Sequence, residues 1–270
     1  MKTLLTGIVS LFALISVIYV LLCLLLYWRQ DAAIFYPVHN DPALRQEHAK
    51  SRIEIPVDGA ILEGWWIDNP AATNSTLLLY FGGNAEDVLY ASSLAHDLSV
   101  RRMLLVNYRG YGGSSGRPGQ RELYDDALKI YAYAIAAGHK PEQIVVMGRS
   151  LGSGVASMLA GSRPVAAAIL VTPFDSLGAV GAAHYPLFPV RLLLRHPFPS
   201  SEWARLAQAP ALFLAADYDV VVPAAHAKKL FDAWAGRKHF HLLSGRGHND
   251  IEQDAQYYAL INEFLASVTP

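Results

Sequence analysis

Between Leu4 and Trp28 the chain carries no charged side chain, a run of 25 residues. At about 1.5 Å per residue, a helix of that length exceeds the roughly 30 Å hydrocarbon core of a bilayer. Lys2 precedes the run, and Tyr27-Trp28-Arg29 closes it as an interfacial anchor. A cleaved signal peptide has an apolar core of about 7–15 residues and a small-x-small cleavage site. This run is longer and ends in Leu, Tyr and Trp, so the sequence predicts an uncleaved, single-pass anchor over residues 1–29, with 4–28 in contact with lipid. Cys23 follows Leu22 rather than a small residue, so it reads as a membrane-embedded apolar side chain and not as a lipoprotein site. Lys2 and the terminal amine face Arg29 across the span; the count leans to a cytoplasmic N-terminus, with the rest of the chain outside.

The remaining residues bound the function classes. The chain has 270 residues, 22 Lys+Arg and 23 Asp+Glu, and a formal net charge of −1. That balance lacks the basic surface a nucleic-acid partner requires. With 53% hydrophobic and 17% charged residues, the chain is neither disordered nor a coiled coil. Cys23 is the single cysteine, which excludes disulfide frameworks, thiolate zinc sites and iron–sulfur clusters.

After a polar tether over residues 30–50, apolar runs alternate between two periods. Ile53–Val57 and Ile61–Ile67 flank Asp58-Gly59 as a β-hairpin. Leu77–Phe81, Met103–Val106, Ile144–Met147, Ala167–Val171, Ala211–Ala215 and Phe240–Leu243 read as buried strands. Helical spacing fits Val88–Leu98, Leu123–Ala137, Leu151–Ala160, Pro223–Trp234 and the end of the chain to Val268. This alternation implies an α/β domain over 51–270, a mostly parallel sheet flanked by helices. The rhythm breaks at 174–203, rich in Pro, Leu, Phe and Gly, which reads as a cap insertion over the carboxyl edge of the sheet.

Gly-x-Ser-x-Gly occurs twice, around Ser114 and around Ser150. A nucleophilic serine needs a sharp turn from strand to helix, with small neighbours that let the turn close. Ser150 follows the strand Ile144–Met147 and precedes Leu151-Gly152-Ser153-Gly154, which opens a helix. Ser114 lies in a glycine-rich loop with no helix after it. Ser150 is therefore the candidate nucleophile. Its base must follow it in the chain. Of the ten histidines, His39, His48, His96 and His139 precede it. His239 and His241 alternate along a strand, His226 sits in a helix, and His184 and His196 lie in the insertion. His248 occupies a glycine-rich loop directly after the last strand. The orienting acid should follow the preceding strand, where Asp217 and Asp219 are both candidates, one of them bracing the turn; Asp219 is nearer the middle of the loop. Backbone N–H groups should form the oxyanion hole. Leu151 follows the serine, and Gly82-Gly83 points to Asn84.

Together Gly148-Arg149-Ser150-Leu151-Gly152-Ser153-Gly154, Tyr108-Arg109-Gly110-Tyr111-Gly112, Gly83-Asn84, Asp219 ahead of Val222-Pro223, and Gly247-His248-Asn249 resemble the α/β-hydrolase superfamily. They look most like its small, N-terminally membrane-anchored, serine aminopeptidase-like branch, whose first hairpin matches Asp58-Gly59, Leu62 and Gly64-Trp65. The resemblance covers residues 50–268. It implies an α/β-hydrolase fold, with Ser150 as nucleophile, His248 as base and Asp219 as acid, and needs no cofactor or metal. Three positions depart from the pattern: Gly82 replaces a histidine, Asn107 an aspartate and Ala216 a glycine.

The expected function is hydrolysis of a carboxylic ester or thioester of a lipid or an acylated protein. A palmitoyl-thioesterase-like protein deacylase, a peptidase and a non-catalytic tethered domain are the alternatives. Arg191 and Arg195 in the insertion, where a peptidase would offer acids to a substrate amine, weigh against peptidase activity. If residues 186–195 are helical, both arginines share one face and the leucines spread around the other. The segment is then either a lid packed on the domain with the arginines in water, or an acyl tunnel lined by the leucines with the arginines toward lipid headgroups.

Overall fold

The computed structural model describes residues 2–268. Helix α1 spans Lys2–Ile34, 33 residues, and is long and apolar enough to cross a membrane. It runs past residue 29, where the sequence predicts the anchor to end. The extra turn is fixed from outside the helix. Gln30 is buried, its Nε2 donates to the Leu193 carbonyl (3.2 Å), and its Oε1 accepts from the Arg195 amide (2.6 Å). Asp31 pairs with Arg195 (2.6 Å) and with His196 (3.0 Å). Phe35 then enters the core at 4% exposure, edge-on to His196 and Phe198.

The polar tether is docked on the domain. Asn40 hydrogen-bonds Asp87 and Asn107, the Asp41 amide donates to Asp87 (2.6 Å), and α2 (Pro42–Glu47) starts on the Asp41 side chain.

The sheet has eight strands: β1 (Arg52–Val57), β2 (Ala60–Asp68), β3 (Leu77–Phe81), β4 (Arg102–Val106), β5 (Ile144–Arg149), β6 (Ala167–Val171), β7 (Ala211–Ala216) and β8 (Lys238–Leu243). Their order is β1-β2-β4-β3-β5-β6-β7-β8. β1 and β2 form the expected hairpin, with Gly59 at φ +74° in the turn, and β2 pairs antiparallel to β4. All other pairs are parallel. β3, β6 and β7 are buried throughout, because helices cover both faces.

Between β3 and β4 the spacing predicts a helix over Val88–Leu98. A 3₁₀ turn at Val88–Ser93 forms first and leads into the short α3 (Leu94–Asp97). Asp87 caps this turn at the Leu89 amide while holding Asn40 and Asp41, and the tighter winding buries Val88, Leu89 and Ala91. Helices α4 (Gln120–Ala136) and α5 (Leu151–Ser162) pack on one face of the sheet.

The insertion folds as α6 (Leu177–His184), α7 (Val190–Leu193) and α8 (Ser200–Ala204). Here the expected arginine face is corrected. Pro186 and Pro189 confine α7 to four residues, and Leu194 is already extended (φ −76°, ψ 121°). Arg195 turns to Asp31 rather than stacking under Arg191. Leu187 and Leu192 point outward, at 81% and 83% exposure, and line no tunnel. Helix α9 (Ala224–Ala233) joins the α4/α5 face, and α10 (Tyr257–Val268) covers the other face beside α3.

Candidate active site

The site is built at the carboxyl ends of β3, β5, β7 and β8. β5 ends at Arg149, and Ser150 takes φ +50°, ψ −114°, a conformation that costs a non-glycine residue free energy and lifts its side chain off the strand. The turn closes because its flanks are glycines. A Cβ on Gly148 would lie 2.2 Å from the Gly152 carbonyl oxygen, and one on Gly152 would lie 2.0 Å from the Phe81 oxygen. The Ser150 amide donates to Val171 (2.9 Å), which pins the turn to β6. Ser114 lies elsewhere. Its buried hydroxyl accepts from the Glu63 amide (2.8 Å) and donates to the Asn107 carbonyl (3.1 Å), so it splices a loop to β2.

His248 stands in the loop after β8. Its Nε2 is 2.9 Å from Ser150 Oγ, and its Nδ1 is 2.7 Å from Asp219 Oδ2. Asp219 follows β7 and is buried; its Oδ1 accepts the Val221 (2.9 Å) and Val222 (2.7 Å) amides, which hold the carboxylate toward the imidazole. Asp217 does not meet the imidazole. Its Oδ1 accepts the Gly245 amide (2.8 Å), tying the acid loop to the histidine loop. Four of the other histidines after Ser150 are engaged elsewhere: His226 with Asp175 (2.6 Å), His184 with the Val221 carbonyl (2.9 Å), His196 with Asp31, and His239 against Phe264.

The Leu151 amide opens α5, where a helix has no internal acceptor for it. Asn84 lies across the Gly82-Gly83 loop. Its side chain is taken up by the chain leaving α1 and by the loop after β4: Nδ2 donates to the Ile34 carbonyl (2.7 Å), and Oδ1 accepts from Tyr36 N–H (3.0 Å) and Tyr111 O–H (2.8 Å). That leaves the Asn84 main chain as the part able to serve a substrate. Gly82 is held without the histidine it replaces, since its carbonyl accepts the buried Tyr108 hydroxyl (2.8 Å).

Sequence reasoning missed a second set of residues. Glu86 accepts from the Gly83 amide (2.7 Å), the Tyr80 hydroxyl (2.6 Å) and Arg149 (3.2 Å), and Arg149 reaches the His248 carbonyl at 3.4 Å. Burial works against the Arg149 charge, but the carboxylates of Glu86 and Glu252 outweigh it and raise its pKa. Burial, reinforced by Glu86, holds the Tyr80 phenol neutral. The network joins the glycine loop to the histidine loop. Its only sequence signal was a charged residue inside each small-residue motif.

A family model described as the alpha/beta hydrolase fold matches residues 76–188, a region holding Asn84 and Ser150. An uncharacterized protein of Mycobacterium tuberculosis is 39% identical over 199 residues, covering 72% of this chain and 70% of that protein. The chain belongs to the α/β-hydrolase superfamily. As such it is similar to the human alpha/beta hydrolase domain-containing protein 17B, 29% identical over 195 residues, covering 70% of this chain and 66% of that one. Among solved structures, this hydrolase superimposes on the Pyrococcus furiosus esterase Pf2001 with a TM-score of 0.64 at 18% identity, covering 87% of this chain and 100% of the other. On esterase RhEst1 from Rhodococcus sp. ECU1013 the TM-score is 0.63 at 21% identity, covering 81% and 99%. At those identities the structural likeness speaks for the fold.

Proposed function

We propose that this hydrolase is a membrane-anchored serine enzyme that cleaves carboxylic esters or thioesters through an acyl-enzyme. The observation that carries the reading is the unbroken Ser150–His248–Asp219 chain, with contacts of 2.9 and 2.7 Å. Ser150 Oγ attacks the carbonyl carbon while His248 Nε2 takes its proton. The tetrahedral oxyanion is held by the Leu151 and Asn84 amides. Collapse expels the alcohol or thiol, which leaves with the proton from His248. Water, deprotonated by the same imidazole, then attacks the acyl-enzyme and frees Ser150. Asp219 keeps His248 in the required tautomer and stabilises the imidazolium.

In this reading residues 1–29 are the single-pass anchor and 51–270 the catalytic domain, with its cap at 174–203. The charge-free run in α1 supports the anchor. The test is covalent labelling with a fluorophosphonate. Wild type should label, Ser150→Ala should not, and Ser114→Ala should label while losing about 2 kcal/mol of stability through its two buried hydrogen bonds. Labelling of folded Ser150→Ala would overturn the reading.

A further inference from the structure

We propose that the tip of the cap, Tyr185–Leu194, is embedded in the acyl-chain region of the leaflet facing the catalytic domain, alongside α1. The proposal rests on reading α1 as a membrane anchor. Within that reading, the depth of the tip follows from a contact. The Tyr19 hydroxyl donates to the Leu187 carbonyl (2.9 Å), and the Tyr19 ring stacks on Phe188 at 5.9 Å. Tyr19 lies nine residues before Trp28, about 14 Å along the helix axis, and close to the middle of the charge-free run. A residue touching Tyr19 is therefore at hydrocarbon depth and not at the headgroups.

The composition and backbone of the tip suit that solvent. Leu187 and Leu192 are 81% and 83% exposed, and Tyr185 60%, an apolar surface that nothing else in the chain covers among the described residues. From Ser176 to Leu194, Arg191 is the single Asp, Glu, Lys or Arg residue. Its long stem lets the guanidinium reach the headgroups while the stem stays in lipid. Unpaired backbone N–H groups are costly in hydrocarbon. Pro186 and Pro189 have none, and six of the tip's other eight amides, those of Tyr185, Phe188, Val190, Leu192, Leu193 and Leu194, donate within the insertion. Tyr19 supplies the matching observation from the anchor. A hydroxyl at mid-span needs an acceptor, and it finds one on the cap.

Where the tip rises out of lipid, the chemistry changes. Arg195 lies over the Tyr27 ring (5.4 Å) and pairs with Asp31, which places this charged cluster level with the Tyr27-Trp28-Arg29 belt. Gln30 clamps the same strand of the cap to α1. The other arm of the cap ends at His184, bonded to Val221 two residues beyond Asp219. The tip thus connects the acyl-chain region to the rim of the site, and the substrate class it fits is an ester or thioester whose acyl chain lies in that leaflet.

Depth-resolved fluorescence quenching tests this on the full chain in phosphatidylcholine vesicles. In a Cys23→Ser background, a polarity-sensitive dye is attached at Leu187→Cys, Leu192→Cys, Ile15→Cys or Lys140→Cys, and lipids with a nitroxide on the acyl chain or on the headgroup are added. Both cap positions are highly exposed, so neither change disturbs the core. Acyl-chain nitroxide should quench Ile15 and both cap labels several-fold, more than headgroup nitroxide does at Leu187, and leave Lys140 unchanged. Quenching at Ile15, with the cap labels behaving like Lys140, overturns the embedded cap and leaves the anchor standing. No quenching at Ile15 overturns the anchor and the cap together.

Discussion

Two carboxylates two residues apart divide the work of one loop. Asp219 points its Oδ2 at His248, and Asp217 gives its Oδ1 to the backbone of the histidine loop. An amide in place of Asp219 presents a donor to Nδ1 and favours the wrong tautomer. Asp219→Asn should therefore lower kcat by about 10⁴ with a short ester, and leave KM close to that of wild type. Asp217→Asn keeps an oxygen acceptor for Gly245 and should cost less than about tenfold. The reverse ranking would move the acid role to Asp217. From sequence, chain order and loop composition singled out Ser150 and His248, because the elbow and the histidine loop are local events. Position alone left the two aspartates close, since only the path of the loop decides which one faces the imidazole. Glu86 and Arg149 were invisible for a related reason. They act on each other across 63 residues of chain, and no spacing rule reaches that far.

At the scale of elements, period and turn chemistry made the strands legible to within a residue or two, and the family resemblance implied their arrangement. Two elements depart from the expected form because tertiary contact or proline sets them: α3 is shortened by the polar cluster at Asp87 and α7 by two prolines. Helix α1 continues past residue 29, where the cap grips Gln30 and Asp31. The end of α1 thereby belongs to the α/β domain as much as to the apolar helix. Phe35→Ala, which empties a site at 4% exposure beside Phe198, should cost about 3 kcal/mol and lower the thermal midpoint of the domain. A free tether would show no change. The elbow offers a second test at this scale. Gly152→Ala places a methyl 2.0 Å from the Phe81 oxygen, so α5 must move off the sheet. A loss of about 3 kcal/mol or more is expected, together with loss of fluorophosphonate labelling. An alanine variant with wild-type stability would contradict the close approach of helix and strand.

Over the whole molecule, one buried carboxylate gathers segments that are distant in sequence. Glu63 on β2 accepts from Arg45 on α2 (2.7 Å), Arg52 on β1 (2.7 Å) and the Gly113 amide after β4 (2.8 Å). It therefore fastens the linker, the first hairpin and the glycine-rich loop to one another. Burial alone would raise its pKa, but the Arg52 and Arg45 guanidiniums and the Gly113 N–H outweigh burial and lower it. A carboxylate depressed in the folded state stabilises the fold at all pH values above its unfolded pKa. That contribution fades as pH falls through the depressed value, where the folded state finally takes up the proton. The thermal midpoint should thus fall on acidification below the ordinary carboxylate range. Glu63→Gln should flatten that part of the profile and lower stability at neutral pH. The arginine side chains are 48% and 35% exposed, so water recovers part of what they lose, and the neutral-pH cost should be about 1–2 kcal/mol rather than that of a fully buried pair. Thermal unfolding of the two proteins across acid pH decides it: parallel profiles would assign the acid sensitivity to other carboxylates, while converging profiles place it at Glu63.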